Sequence, residues 1–212
     1  MKVEVVLSET DIAEEFAEAI QARDLPEKFF FWFPRSAMAW ATLSQDADLY
    51  GGLRETWREL SADAAAIVKP FGTKVLVISF GAGDGARDRV LMDALKGAGF
   101  ECLYFPVDAS QALLEMACAG ADDEDIETVG IKADISSPVH LVYAADAAEP
   151  PRLFIMSGNT MGAFDPPTPR AGSAGSRPRR GPSSPSPSPR RAASLRRRNS
   201  TASSSGPRPT AR

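Results

Sequence analysis

From residue 74 to residue 157 the chain alternates short apolar runs with segments whose apolar residues return every three or four positions. KVLVISF (74–80) is an apolar run of strand length. ARDRVLMDALKGAG (86–99) follows with helical periodicity and is closed by Gly97 and Gly99. ECLYFPVD (101–108) and SQALLEMACAG (110–120) repeat the strand and helix. IETVGIKADI (126–135) and PRLFIMS (151–157) supply a third and a fourth strand. Strands alternating with helices predict a parallel sheet wound through right-handed crossovers.

The first 72 residues carry a different rhythm. Ser8 and Asp11 stand at capping-box spacing, and Ile12, Phe16 and Ile20 share one helical face. A helix is therefore expected over 9–22, stopping before Pro26. KFFFWFPRSAMAWATL (28–43) is the most aromatic stretch; Pro34 interrupts it, and a helix is expected from Ser36 onward, with the aromatics reading as core. LRETWRELSADAAAIVKPFG (53–72) places Leu53, Trp57, Leu60, Ala64 and Val68 at helical spacing and ends at Pro70. The expected architecture is α/β and Rossmann-like: a helical N-terminal region (1–72), a partial parallel sheet of about four strands (73–165), and a tail (166–212).

Charge divides the chain more sharply than periodicity does. Residues 166–212 hold 11 arginines and no acid, so the first 165 residues keep 24 − 11 = 13 basic and all 28 acidic residues, a net charge of −15. The tail is Pro, Ser, Arg, Gly, Ala and Thr, with Leu195 as its one large apolar residue, one Asn and no aromatic. Such a composition cannot bury enough apolar surface to offset ordering entropy, and disorder is expected. RRAAS and RRRNS present Ser194 and Ser200 as sites for a basophilic kinase, and the arginines could serve as an electrostatic arm for nucleic acid or acidic partners. The abrupt change also fits a GC-rich coding sequence read in a shifted frame or through an unspliced intron.

The N-terminus is too short in apolar residues and too acidic for a signal peptide, and no segment reaches transmembrane length, so a cytoplasmic protein is expected. Cys102 and Cys118, 16 apart with a single histidine (His140) in the chain, read as buried reduced thiols rather than a metal site.

Candidate chemistry gathers where the first strand meets its helix. VLVISFGAGDGA turns through Gly81, Gly83 and Gly85, which permit a tight bend and close approach of a ligand to a helix N-terminus. GxGxG fits the nucleotide turn of S-adenosylmethionine (SAM) methyltransferases, and with Ala86 it also satisfies the relaxed GxGxxA dinucleotide pattern. Asp108 ends the second strand, about 25 residues beyond the glycines, where a carboxylate can accept from both hydroxyls of a ribose. Asp134 sits similarly after the third strand and could accept from an adenine amino group; both acids also fit ordinary strand ends.

LPEKFFFWFPRSAMAWATL, LYGGLRETWREL, GAGDGARDRVLMDAL, YFPVDAS, ADI and SGNTMGAFDP occur in the order found in the histidine-specific SAM-dependent methyltransferases, which this chain resembles over residues 25–166. Members trimethylate the α-amino group of histidine on the way to ergothioneine. The resemblance implies a SAM-binding turn at Gly81, Ala82 and Gly83. It places Arg87 where the family has a lysine for the SAM carboxylate. It implies Asp108, with Ala109, at the ribose, and Asp134 with Ile135 at the adenine. The SGNTMG loop, with Asn159 and Thr160, would lie near cofactor and substrate.

Departures from the family concern the amino-acid substrate. Phe31 replaces a substrate-contacting tyrosine, Leu49-Tyr50 stands where a tyrosine pair is expected, and Ala163 replaces an asparagine that helps hold the amino acid. Phe31, Tyr50, Asn159 and Thr160 are thus the candidate substrate residues, with no catalytic base identified. Lost polar partners leave an amino acid poorly paired. With the tail following Asp165 in place of further strands, the resemblance implies an incomplete domain with weak or absent transfer. A nicotinamide-dependent oxidoreductase is the alternative left open by the glycine pattern.

Overall fold

The computed structural model describes residues 2–147, 149, 151–158 and 160–163. The basic tail, with Ser194 and Ser200, lies outside them, as does Asn159.

Among the described residues the sheet has five parallel strands: β1 (Lys2–Val5), β2 (Lys74–Phe80), β3 (Glu101–Asp108), β4 (Glu127–Lys132) and β5 (Arg152–Ile155). Their order across the sheet is β1-β4-β3-β2-β5. Ile78 of β2 lies between Phe105 of β3 and Phe154 of β5, and Val107 pairs with Ile131 of β4. This corrects the expected four strands: the N-terminal region contributes β1 to one edge, pairing Val3 with Gly130. The last predicted strand is confirmed as the opposite edge.

Seven helices are described: α1 (Glu9–Ala22), α2 (Phe29–Trp32), α3 (Pro34–Ser44), α4 (Ala47–Val68), α5 (Ala86–Gly97), α6 (Gln111–Asp122) and α7 (Pro138–Asp146). The expected capping box forms: Ser8 Oγ accepts from the Asp11 amide (3.1 Å) and Asp11 Oδ2 from the Ser8 amide (2.9 Å). Helix α3 begins at Pro34 rather than after it, because proline at the first helical position loses no hydrogen bond. Helix α4 starts six residues earlier than its apolar pattern suggests, because Asp46 Oδ1 accepts from the amides of Asp48 and Leu49. Helix α7 was not anticipated.

Helices on both faces explain why the strands are apolar runs rather than alternating patterns. On one face Val75, Val77 and Tyr104 pack with Leu91, Met92 and Leu95 of α5, Ala117 and Ala121 of α6, and Ala64 and Val68 of α4. On the other, Leu76, Ile78, Phe105, Val107 and Ile131 pack with Ala144 of α7. A third cluster, Leu7, Ile12, Phe29, Trp32 and Ala109, seats α1 and α2 beside the carboxyl end of β3. Ala37 and Ala41 of α3 meet Leu113 of α6. Cys102 and Cys118 are both buried free thiols. Among the described residues no helix is long and apolar enough to cross a membrane.

Candidate cofactor site

The glycine turn leaves β2 at the carboxyl edge of the sheet and delivers the chain into α5. Gly81, Gly83 and Gly85 have φ of 70°, 59° and 70°, a region costly for residues with a Cβ. The Gly81 and Ala82 amides donate to the Val107 carbonyl (2.8 and 3.2 Å), tying the turn to β3. Space is a second reason for glycine: a Cβ on Gly81 would lie 2.6 Å from Thr160 Cγ2 and 3.4 Å from Ile135 Cδ1, and one on Gly83 would lie 2.9 Å from Trp40. Three segments predicted separately, at Gly81, Ile135 and Thr160, therefore converge.

Asp108 closes the next side. Its Oδ2 accepts from the Gly83 amide and its Oδ1 from the Ser110 amide, both at 2.9 Å. Burial pushes this carboxyl upward, against the backbone hydrogen bonds from Ser110, Gly83 and Ala109. A carboxylate that holds the turn through one lone pair on each oxygen keeps its other lone pairs for further donors. Ala109 is buried in the cluster under α1 and α2.

Asp134 follows β4 and is engaged by the protein itself. Its Oδ1 accepts from the Ser136 amide (2.7 Å) and hydroxyl (2.6 Å), and its Oδ2 from Lys28 Nζ (2.9 Å). Burial alone would raise its pKa, but these partners outweigh burial and hold it below the ordinary carboxylate range. The Asp134 amide donates to His140 Nδ1 (3.0 Å). Lys28 also pairs with Glu15 and lies 4.6 Å from the Trp32 ring centre. The candidate adenine acid is thus also an anchor for the N-terminal helices.

The remaining candidates are more scattered. Arg87, in the first turn of α5, lies against Gly158, where a Cβ would sit 2.5 Å from its Nη1. Its carbonyl accepts from Trp57 Nε1 of α4 (2.6 Å). Thr160 Oγ1 donates to the Ser157 carbonyl (3.0 Å), which holds its methyl toward Gly81. Phe31 packs on the aromatic cluster of α1 and α2. Tyr50, half-buried, lies in the first turn of α4. The α3–α4 corner beside it is linked to the glycine turn by Gln45 Nε2, which donates to Asp84 Oδ2 (3.1 Å). Trp40 over Gly83, Lys28 on Asp134 and Gln45 on Asp84 were missed by sequence reasoning. The aromatic stretch containing Trp40 was noted, but only as core.

A parallel sheet with a glycine turn after one strand and an acid after the next defines a Rossmann-like cofactor-binding protein, with the ligand at the carboxyl ends of the strands. The pattern of the family described as histidine-specific methyltransferase, SAM-dependent, matches residues 9–174, and the chain belongs to that family. The protein is therefore a SAM-dependent methyltransferase, and SAM rather than a nicotinamide dinucleotide is its expected cofactor. No curated protein gives a significant match.

Proposed function

We propose that the carboxyl edge of the sheet at Gly81, Gly83, Asp108, Ile135 and Thr160 binds SAM, and that the acceptor is the amino group of histidine or a related amino acid. The observation that carries the cofactor assignment is the meeting of Thr160 and Ile135 over Gly81, beside a turn tied to Asp108 by the Gly83 amide. A tight turn built on Gly81, Gly83 and Gly85 and a buried carboxylate with acceptor capacity to spare fit a nucleoside with a diol. When bound, SAM supplies an electrophilic methyl group on its sulfonium, transferred to a neutral amine by direct displacement.

Each side chain then has a distinct task. Asp108 accepts from the ribose hydroxyls while holding Gly83 in place. Arg87, at the N-terminal turn of α5, pairs with the carboxylate of the cofactor's methionine portion, an assignment favoured by the helix terminus. Ile135 packs against the adenine face, and the one lone pair left on Asp134 Oδ2 meets its amino edge beside Lys28. Positioning of donor and acceptor carries most of the rate in such a displacement.

The histidine assignment follows the family's description, and two departures from the family's pattern argue for slow transfer. Phe31 offers no hydroxyl, and alanine at 163 offers no amide. The full chain, incubated with SAM and each amino acid in turn, is expected to yield slow methylation of an amino group, read by mass spectrometry. Rapid turnover with histidine would contradict the weak-acceptor reading. Transfer confined to acceptors that are not amino acids would contradict the substrate class.

A further inference from the structure

Beneath the glycine turn lies a buried polar group for which the cofactor assignment has no use. Asp88, in the first turn of α5, points into the sheet and is fully buried. The Tyr104 hydroxyl, rising from the middle of β3, donates to Asp88 Oδ2 at 2.5 Å. That hydroxyl reaches the underside of the turn: a Cβ on Gly85 would lie 3.3 Å from it. Ser79, the penultimate residue of β2, is buried on the same side. Its Oγ and Asp88 Oδ1 lack partners in ordinary hydrogen-bond geometry, though the hydroxyl is near enough to favour the ionised carboxyl.

We propose that Asp88 and Tyr104 are positioning residues for the cofactor turn: their hydrogen bond fixes the start of α5, and so the facing of the Gly81–Gly85 amides and of Arg87. Three features of the structure support this. The bond joins the helix to β3, the same strand whose Val107 carbonyl and Asp108 carboxylate hold the turn from above. It is the polar contact of that first turn on its sheet side, while Trp57 holds the Arg87 carbonyl from α4. Burying a carboxyl against a phenol is costly unless the contact is kept, so the pair tolerates little drift.

The same contact couples cofactor binding to protons. Burial raises the Asp88 carboxyl to about 6, against the opposing influence of Tyr104, Ser79 and Arg87, while Asp84 adds to the rise. Burial and the Asp88 carboxyl push the Tyr104 phenol well up; Cys118 of α6 adds to the rise and Arg89 of α5 opposes it. An ionised Asp88 needs the tyrosine proton; a protonated one carries its own and can offer it to Ser79, which loosens the tie. Affinity for SAM then falls as Asp88 takes up a proton.

This inference rests on the SAM reading of the turn, and one experiment separates the two. SAM is titrated calorimetrically into the full-length wild type, Asp88→Asn and Tyr104→Phe at pH 5, 6, 7 and 8, with near-ultraviolet circular dichroism confirming the fold. The wild-type Kd is expected to rise about tenfold from pH 7 to pH 5. Asp88→Asn should bind more weakly at pH 7 and show no such slope, although His140 is intact. Tyr104→Phe should also bind more weakly at pH 7; if it fails to fold, Asp88→Asn alone decides. A wild-type slope retained in Asp88→Asn, a flat wild-type profile, or unchanged affinity in folded variants would overturn the proposal while leaving the site assignment standing. Absence of SAM binding to the wild type would overturn both.

Discussion

Lys28 Nζ lies 2.9 Å from Asp134 Oδ2, across 106 residues of chain, and fastens the N-terminal helices to the carboxyl end of β4. Burial would lower the lysine's pKa, but its hydrogen bonds to Glu15 and Asp134 prevail and raise it. Side-chain exposures of 19 % and 10 % put this pair between a surface bridge and a buried one. Lys28→Met removes the cation from Asp134 and Glu15 and from the face of Trp32. We expect a loss of about 1–3 kcal/mol, read as a lower midpoint in urea unfolding. Asp134 has a lowered pKa in the folded state, so its contribution is present above the unfolded value of 3.8 and lost as pH falls below it. An unchanged midpoint in Lys28→Met would show that α1 and α2 are held by the aromatic cluster alone.

Gly83→Ala tests the turn itself. Its φ of 59° and the 2.9 Å approach of Trp40 leave no room for a methyl group in the present geometry. Stability should drop by at least about 1 kcal/mol, and SAM affinity should fall with it, since the Gly83 amide would leave Asp108. Measured side by side, a stability loss without an affinity loss would mean that the turn is scaffold only.

Asp108→Asn separates charge from hydrogen bonding. The amide keeps one acceptor oxygen, yet Gly83 and Ser110 each require one from the same side chain. The NH2 group would face one of these donors, at a cost of about 1–3 kcal/mol. SAM binding should be lost or severely weakened. Retention of wild-type affinity would remove Asp108 from the ribose.

Asp88 predicts a pH dependence of opposite sign to Asp134. Its folded-state pKa of about 6 lies above the unfolded 3.8, so the folded state binds the proton more tightly. The group's effect on stability is most favourable below pH 4, declines as pH rises from 4 to 6, and is level above that. The full span is about 3 kcal/mol. Urea unfolding across this window should show wild type losing stability relative to Asp88→Asn as pH rises, since Asp108 and Asp134 titrate in both proteins. Parallel curves for the two proteins would refute the buried-acid account.

Much of this was legible from residues 74–135, where apolar runs and glycines report backbone geometry directly. Edge and half-exposed elements were not. β1 is four residues long with Lys2 and Glu4 alternating against valines, a pattern suited to a sheet edge but too short to stand out. Helix α7 buries Ala144 while Val139, Val142 and Tyr143 remain exposed, so its apolar residues mark no single face. At the strand ends, residue types pointed to Asp108 and Asp134 as candidates, but spacing carries no information on partners a hundred residues away. Lys28 was therefore invisible as the partner of Asp134. Trp40 read as core for a sound reason, since a tryptophan in an aromatic stretch packs somewhere, but sequence could not say that it packs on Gly83.

Whether this turn binds SAM is decided by calorimetric titration of wild type and Gly83→Ala with SAM and, separately, with NAD. Saturable SAM binding by the wild type, strongly weakened in Gly83→Ala, is expected, with no saturable NAD binding by either. Saturable NAD binding without SAM binding, or SAM binding indifferent to Gly83→Ala, would contradict the SAM assignment.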